Sequence, residues 1–173
     1  IDTPKPGFLE GLRELTIHYD IPLIFDEVVT GFRMGYGGAQ EYYGVTPDLT
    51  SLGKIVGGGF ALAAVAGKAE IMSIVDRFQA ASDAYVRQVG TLNGNTLACA
   101  AGLATLKELR KKGTYERLWA TGRRLREEIE RLFKEAEIPI QSLGVDPLFG
   151  FYFSDEPIDN YRSTLKSDAQ MLN

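Results

Sequence analysis

The stretch "DLTSLGKIVGGGFALAAVAGK", residues 48–68, decides how the fold is read. Leu49 to Leu52 has the length of one short strand, Gly53 closes it, and Lys54 stands directly at its carboxyl end. A lysine keeps its ammonium in water unless something offsets its burial, and the apolar residues after Lys54 are expected to cover it. Gly57, Gly58 and Gly59 then break the chain before "ALAAVAG", a further strand candidate.

Upstream, "IPLIFDE" at residues 21–27 reads as a buried strand that ends in two acids, Asp26 and Glu27. Ahead of it Phe8, Leu12, Leu15 and Tyr19 recur at helical spacing and predict a helix from Gly7 to Tyr19. The glycine-rich segment after the strand predicts a loop with a short helix near Ala39 to Tyr43. Helix, buried strand, loop and second strand form an α/β pattern. With the two strands as parallel neighbours, Asp26 and Lys54 share the carboxyl edge of the sheet, where ligands gather in open α/β folds.

Downstream, "AEIMSIVDRF" predicts a short helix, and Gln79 to Arg87 is a polar stretch without a pattern. "QVGTLNGNT" then leads into a helix from about Thr96 to Lys111, alanine-rich on one side. After "KKGT" the residues Tyr115, Leu118, Gly122, Leu125, Ile129, Leu132 and Ala136 step by threes and fours, which predicts a long amphipathic helix. "IPIQSLG" and "LFGFYFSD" follow as strands, and "SDAQMLN" is helix-like. The change of rhythm places a domain boundary between residues 1–113 and 114–173.

Composition narrows the function. A net charge of −4 with no basic block leaves no footprint for nucleic acid or an anionic membrane. The longest apolar run, Phe60 to Ala66, is too short to span a bilayer. The single cysteine, Cys99, has no partner for an internal disulfide and suits packing in a reducing cytoplasm. Small molecules and protein partners remain. The chain starts without methionine and stops inside a helix-like segment, so an internal fragment of a longer protein is expected.

Asp26 and Lys54 fit two readings, a buried ion pair and a catalytic pair. Glycines on both sides of Lys54 offer room for a planar ligand, and apolar walls around a lysine favour the neutral amine that attacks a carbonyl. Pyridoxal phosphate forms a Schiff base with such an amine and needs an acid at its ring nitrogen, which Asp26 would supply. Other motifs fail on detail. Gly53-Lys54 is followed by Ile55, and Asp48 stands where a phosphate-binding loop needs its first glycine. "GYGGAQ" lacks the third glycine of a dinucleotide fingerprint, and His18 is the only histidine, which speaks against zinc and serine–histidine triads.

"LIFDEVVTGFR", "GGAQEYYGVTPDLTSLGKIVGGG" and "GTLNGNTLACAAGLATL" resemble the core of the class III (fold type I) pyridoxal-phosphate aminotransferases, most of all the glutamate-1-semialdehyde 2,1-aminomutase branch. The resemblance runs from Gly7 to the end and includes "LFGFYFSDEPIDNYRSTLKSDAQ". It implies part of the large domain, a mostly parallel sheet flanked by helices, in residues 1–113. It implies the start of the small α+β domain in residues 114–173. It makes Lys54 the Schiff-base lysine and Asp26 the partner of the pyridinium nitrogen. Val28 would pack on one face of the ring. Thr91 would reach across a dimer interface to the phosphate of the other subunit's cofactor, and Gly90 would let the backbone approach. A core valine and a turn or helix-start hydroxyl are the structural alternatives for Val28 and Thr91.

Arg33 has the geometry of a fork for a substrate carboxylate, and Glu27 reads as a helper or a locally paired acid. The resemblance implies a cytoplasmic homodimer with shared active sites and a small amino or keto substrate. The expected activity is aminomutase-like amino-group transfer through Lys54. The alternatives are a general transaminase with an amine donor and keto-acid acceptor, or a catalytically incomplete fragment. Two departures bear on substrate: Phe60-Ala61 stands where the branch usually has Met-Pro, and Gly94-Asn95-Thr96 where it commonly has Gly-Asn-Pro. The family's own phosphate loop and ring-stacking aromatic lie upstream of the segment matching Ile1, so these residues alone are expected to hold the cofactor poorly.

Overall fold

The structure, a computed structural model, describes residues 3–78 and 83–167; part of the Gln79–Arg87 stretch and most of "SDAQMLN" lie outside the described residues. The chain divides into two compact units, Gly7–Lys112 and the residues from Gly113 onward together with those before Gly7.

The first unit contains α1 (Phe8–His18), β1 (Ile24–Glu27), α2 (Gly38–Tyr43), β2 (Leu49–Leu52), β3 (Ala64–Gly67), α3 (Ala69–Met72) and α4 (Thr96–Leu109). The helix α1 is capped by Tyr19, Asp20 turns into the left-handed region, and Pro22 prevents continuation. The strands form a sheet in the order β1-β2-β3. Strands β1 and β2 are parallel with Asp26 opposite Ser51, and β3 returns antiparallel to β2 with Val65 opposite Ser51.

The described sheet is therefore mixed, where the resemblance implied a mostly parallel one. Between β1 and β2 the chain has the length of a crossover and builds α2 on the way, which parallel pairing needs. Between β2 and β3 it has only a tight 3-10 turn at Lys54–Gly57 and a few residues, which brings the strand back in the opposite sense. The strand β1 also differs from the expected buried strand. Glu27 is buried, but Ile24 is 61% exposed and Asp26 lies on the same open face.

Leu23, Met34, Ala39, Val45, Val56 and Ala98 form the buried apolar centre of this unit. Asp48 fastens its amino-terminal edge. This buried carboxylate accepts hydrogen bonds from Arg13 Nη1 at 2.6 Å, Arg13 Nη2 at 3.1 Å and the Leu23 N–H at 2.8 Å, and pairs with Lys68 Nζ at 2.7 Å. Arg13, then Lys68, then the Leu23 N–H hold the Asp48 carboxyl far below the usual carboxylate range. One side chain thus ties α1, the start of β1 and the end of β3 to the start of β2.

The second unit contains α5 (Thr114–Glu135), β4 (Gln141–Val145), β5 (Leu148–Tyr152) and α6 (Tyr161–Thr164). The strands β4 and β5 make an antiparallel hairpin with Val145 opposite Leu148. Asp146 at the hairpin turn accepts from Arg123 Nε of α5 at 2.9 Å, and Phe133 of α5 meets Phe153 edge-on with centroids 5.5 Å apart. No described helix is long and apolar enough to cross a membrane.

Candidate active site

The parallel pairing of β1 and β2 brings Asp26 and Lys54 to the same carboxyl edge. Asp26 lies on β1, and Lys54 follows β2 after Gly53. They do not form the buried ion pair that was one of the two sequence readings. Both residues are exposed, and among the described residues Lys54 makes no ion pair. The apolar residues after Lys54 do not cover it, because its φ of 48° turns the backbone into the left-handed region at the strand end. That conformation costs a non-glycine residue energy, and such positions cluster at functional sites.

Asp26 is organised in detail. Its Oδ1 accepts the Val28 N–H at 3.1 Å and the Ser51 hydroxyl at 2.9 Å. Among the described residues its Oδ2 accepts no hydrogen bond. The Val28 N–H, then the Ser51 hydroxyl, then the charge of Lys54 outweigh partial desolvation and hold the carboxyl below its ordinary value. Asp26 is an ionised acceptor with one oxygen uncommitted.

Val28 is half-buried, and its methyls lie over Gly53, where an added Cβ would be 3.2 Å from Val28 Cγ1. Of the glycines after Lys54, Gly58 serves packing, whereas a Cβ on Gly59 would meet open space. Gly58 has φ +58°, and a Cβ there would come within 2.9 Å of the Ala101 carbonyl oxygen; one on Gly102 would come within 2.5 Å of the Val56 carbonyl oxygen. Two glycines thus let α4 lie directly on the turn that carries Lys54.

Gly90 and Thr91 lie on an exposed turn just ahead of α4, closed by the Asn93 N–H donating to the Gly90 carbonyl at 3.0 Å. No hydrogen bond among the described residues joins them to Asp26 or Lys54. The helix-start alternative for Thr91 falls to another residue: Asn95 caps α4 by accepting the Ala98 N–H at 3.0 Å. Thr96 is then the first helical residue, a position that proline and threonine both suit, so this departure from the family pattern has a local structural explanation.

Glu27, next to Asp26, points to the other face. It is 1% exposed and accepts from Thr30 Oγ1, the Ala39 N–H, the Gln40 N–H and Gln40 Nε2 at 2.6–3.1 Å. It is a locally paired acid that starts α2. A cleft of about 660 Å³ opens on this face beside Glu27, Tyr36, Gln40, Thr50 and Lys68. Two of its charged groups are committed, Glu27 to its donors and Lys68 to Asp48, while Glu41 accepts the Gly37 N–H at 2.8 Å. The Arg33 side chain is half-buried and makes no ion pair among the described residues.

Ser51 and the Asp48 cluster went unrecognised in the sequence. Ser51 shows one faint signal, since it shares a strand face with Leu49, but only the β1–β2 register sets it opposite Asp26.

Comparison with known proteins gives a consistent result. Residues 1–164 match the aminotransferase class-III family. The glutamate-1-semialdehyde 2,1-aminomutase of Roseiflexus castenholzii (strain DSM 13941 / HLO8) is 48% identical over 167 residues, covering 96% of this chain and 37% of that protein. An omega-transaminase from Sphaerobacter thermophilus superposes with a TM-score of 0.86 at 41% identity, covering 96% of this chain and 37% of that one. A glutamate-1-semialdehyde-aminomutase variant from Pseudomonas aeruginosa PAO1 in complex with PMP superposes with a TM-score of 0.81 at 26% identity, covering 99% and 39%. The chain thus spans well under half the length of these relatives.

Proposed function

The chain belongs to the class III aminotransferases, a family of pyridoxal-phosphate-dependent enzymes, and from that premise we propose that it performs amino-group transfer of the glutamate-1-semialdehyde 2,1-aminomutase type through Lys54. The observation that carries this reading is the carboxyl edge of β1 and β2. An ionised Asp26 with a free Oδ2 stands one strand from an exposed, unpaired Lys54 held in a strained backbone conformation. These groups fit the cofactor: a carboxylate that accepts from a protonated ring nitrogen and an amine for an aldehyde carbon.

When bound, the cofactor supplies an electron sink for the carbanion formed at the substrate carbon. Asp26 Oδ2 would accept the ring N–H and hold that proton on the ring nitrogen. Lys54 Nζ is the amine that would hold the cofactor's aldehyde carbon, and as a free amine it would take a proton from the substrate carbon and return one. Val28 gives an apolar surface beside Asp26. Arg33 is the candidate fork for a substrate carboxylate.

In this reading the unit Gly7–Lys112 is the end of the large domain, and the residues from Gly113 begin the small one. The exposed turn of Gly90 and Thr91 serves the phosphate of a second copy's cofactor in a homodimer.

Borohydride reduction in the presence of pyridoxal phosphate, followed by peptide mapping, tests the assignment. The expected result is an adduct on Lys54, lost with the visible cofactor band in Lys54→Ala; an unchanged band in that variant overturns it. An adduct that forms in a longer polypeptide but not in this chain marks the chain as catalytically incomplete.

A general transaminase is the second reading, favoured by the 41% identity to the omega-transaminase and by Phe60-Ala61 in place of Met-Pro. Turnover of glutamate-1-semialdehyde without a keto acid supports the mutase; strict dependence on a keto acid supports the transaminase.

A further inference from the structure

We propose that Ser51 is a positioning residue for Asp26: its hydroxyl holds Oδ1 together with the Val28 N–H and so aims Oδ2 at the ring nitrogen of the cofactor. The inference rests on the functional reading above and adds to it a residue outside the set that the family resemblance marks.

The two donors approach Oδ1 from different parts of the chain. The Val28 N–H comes from the turn two residues beyond Asp26, at 3.1 Å. The Ser51 hydroxyl comes from the neighbouring strand, at 2.9 Å, where parallel register sets Ser51 opposite Asp26 on the same face. A terminal carboxylate torsion is broad and nearly twofold when unrestrained. Two donors on one oxygen remove that freedom and choose which oxygen remains open. Among the described residues nothing donates to Oδ2.

The same two contacts favour the ionised carboxylate, with Lys54 the charged group that adds to them. The Val28 donor is backbone and the same for nearly any residue at that position. The Ser51 donor exists only because of the side chain. Alanine at residue 51 leaves Oδ1 with one partner and lets the carboxylate turn, whereas threonine keeps the hydroxyl.

The test compares wild type, Ser51→Ala and Ser51→Thr. In cofactor-free protein the Asp26 carboxyl titration is followed by carbon-detected NMR; in loaded protein, cofactor affinity and the pH midpoint of the visible band are measured. Ser51→Ala is expected to raise the Asp26 midpoint, shift the visible-band midpoint and weaken pyridoxal phosphate binding about tenfold. Ser51→Thr is expected to restore all three, which separates loss of the donor from loss of fold.

A Ser51→Ala protein identical to wild type in these readouts, while wild type forms the Lys54 adduct, overturns the proposal and leaves the functional reading standing. A wild type that forms no adduct, either in this chain or in a longer polypeptide, overturns that reading and with it the aim of Oδ2 at a cofactor; the NMR titration still judges the Ser51–Asp26 contact by itself.

Discussion

The two ends of the β1–β2 pair handle a carboxylate in opposite ways. At the amino end Asp48 is buried and takes Arg13, Lys68 and the Leu23 N–H on its two oxygens. At the carboxyl end Asp26 is exposed and takes two donors on one oxygen only. Glu27, buried beside Asp26 but facing the other way, follows the Asp48 pattern with four donors. A carboxylate whose lone pairs are all spent joins elements and has nothing left for a ligand. One that is half satisfied keeps its charge and still offers an acceptor.

This difference is open to direct attack, beginning with the largest effect. Asp26→Asn keeps the shape of the side chain but removes the charge that, in the proposed function, would face the cofactor's ring nitrogen. The expected outcome is a fall in kcat of about 10²–10³-fold with little change in Tm, read by steady-state kinetics and thermal melting. Glu27→Ala should do the reverse in kind. It strands the Ala39 and Gln40 N–H groups in a buried site and is expected to cost about 3 kcal/mol of stability, measured by denaturant unfolding.

Asp48→Asn should cost about 2 kcal/mol, and its signature lies in pH. The Asp48 carboxyl binds its proton more weakly folded than unfolded, so the stabilisation from its cluster is whole above about pH 5. It drains away as the pH falls below the ordinary carboxylate range. Acid unfolding curves should therefore be shallower in Asp48→Asn than in wild type; parallel curves would show that the cluster does not anchor the sheet.

Gly58→Ala has the smallest expected effect on stability, about 1–2 kcal/mol, because it puts a side chain at φ +58° and against the Ala101 carbonyl. It sharpens the comparison by moving the turn under Lys54 while leaving both carboxylates intact, so the yield of Lys54 adduct should fall more than the melting temperature.

Much of this was legible before any coordinates. The spacing of Phe8, Leu12 and Leu15 predicted α1 nearly to its ends, and Leu49–Leu52 was read as a strand with its observed bounds, because hydrophobic period and glycine punctuation are local signals. The stepping of Tyr115 to Ala136 predicted α5 in the same way. The Glu27 donors and the Asp48 cluster were not legible, since each joins residues far apart in the chain whose meeting depends on register. The glycines after Lys54 were read as space for a ligand; the structure uses Gly58 with Gly102 to bring a helix close.

The sequence by itself determined where the strands lie, that Asp26 and Lys54 end two of them, and which family the motifs resemble, since these depend on residue type and short-range spacing. Tertiary structure decided that β1 and β2 are parallel with Asp26 opposite Ser51, and therefore which oxygen of Asp26 is held and which is free. The reason is the twofold period of a strand: a shift of one residue would turn Ser51 to the other face, and no local signal in the sequence forbids it.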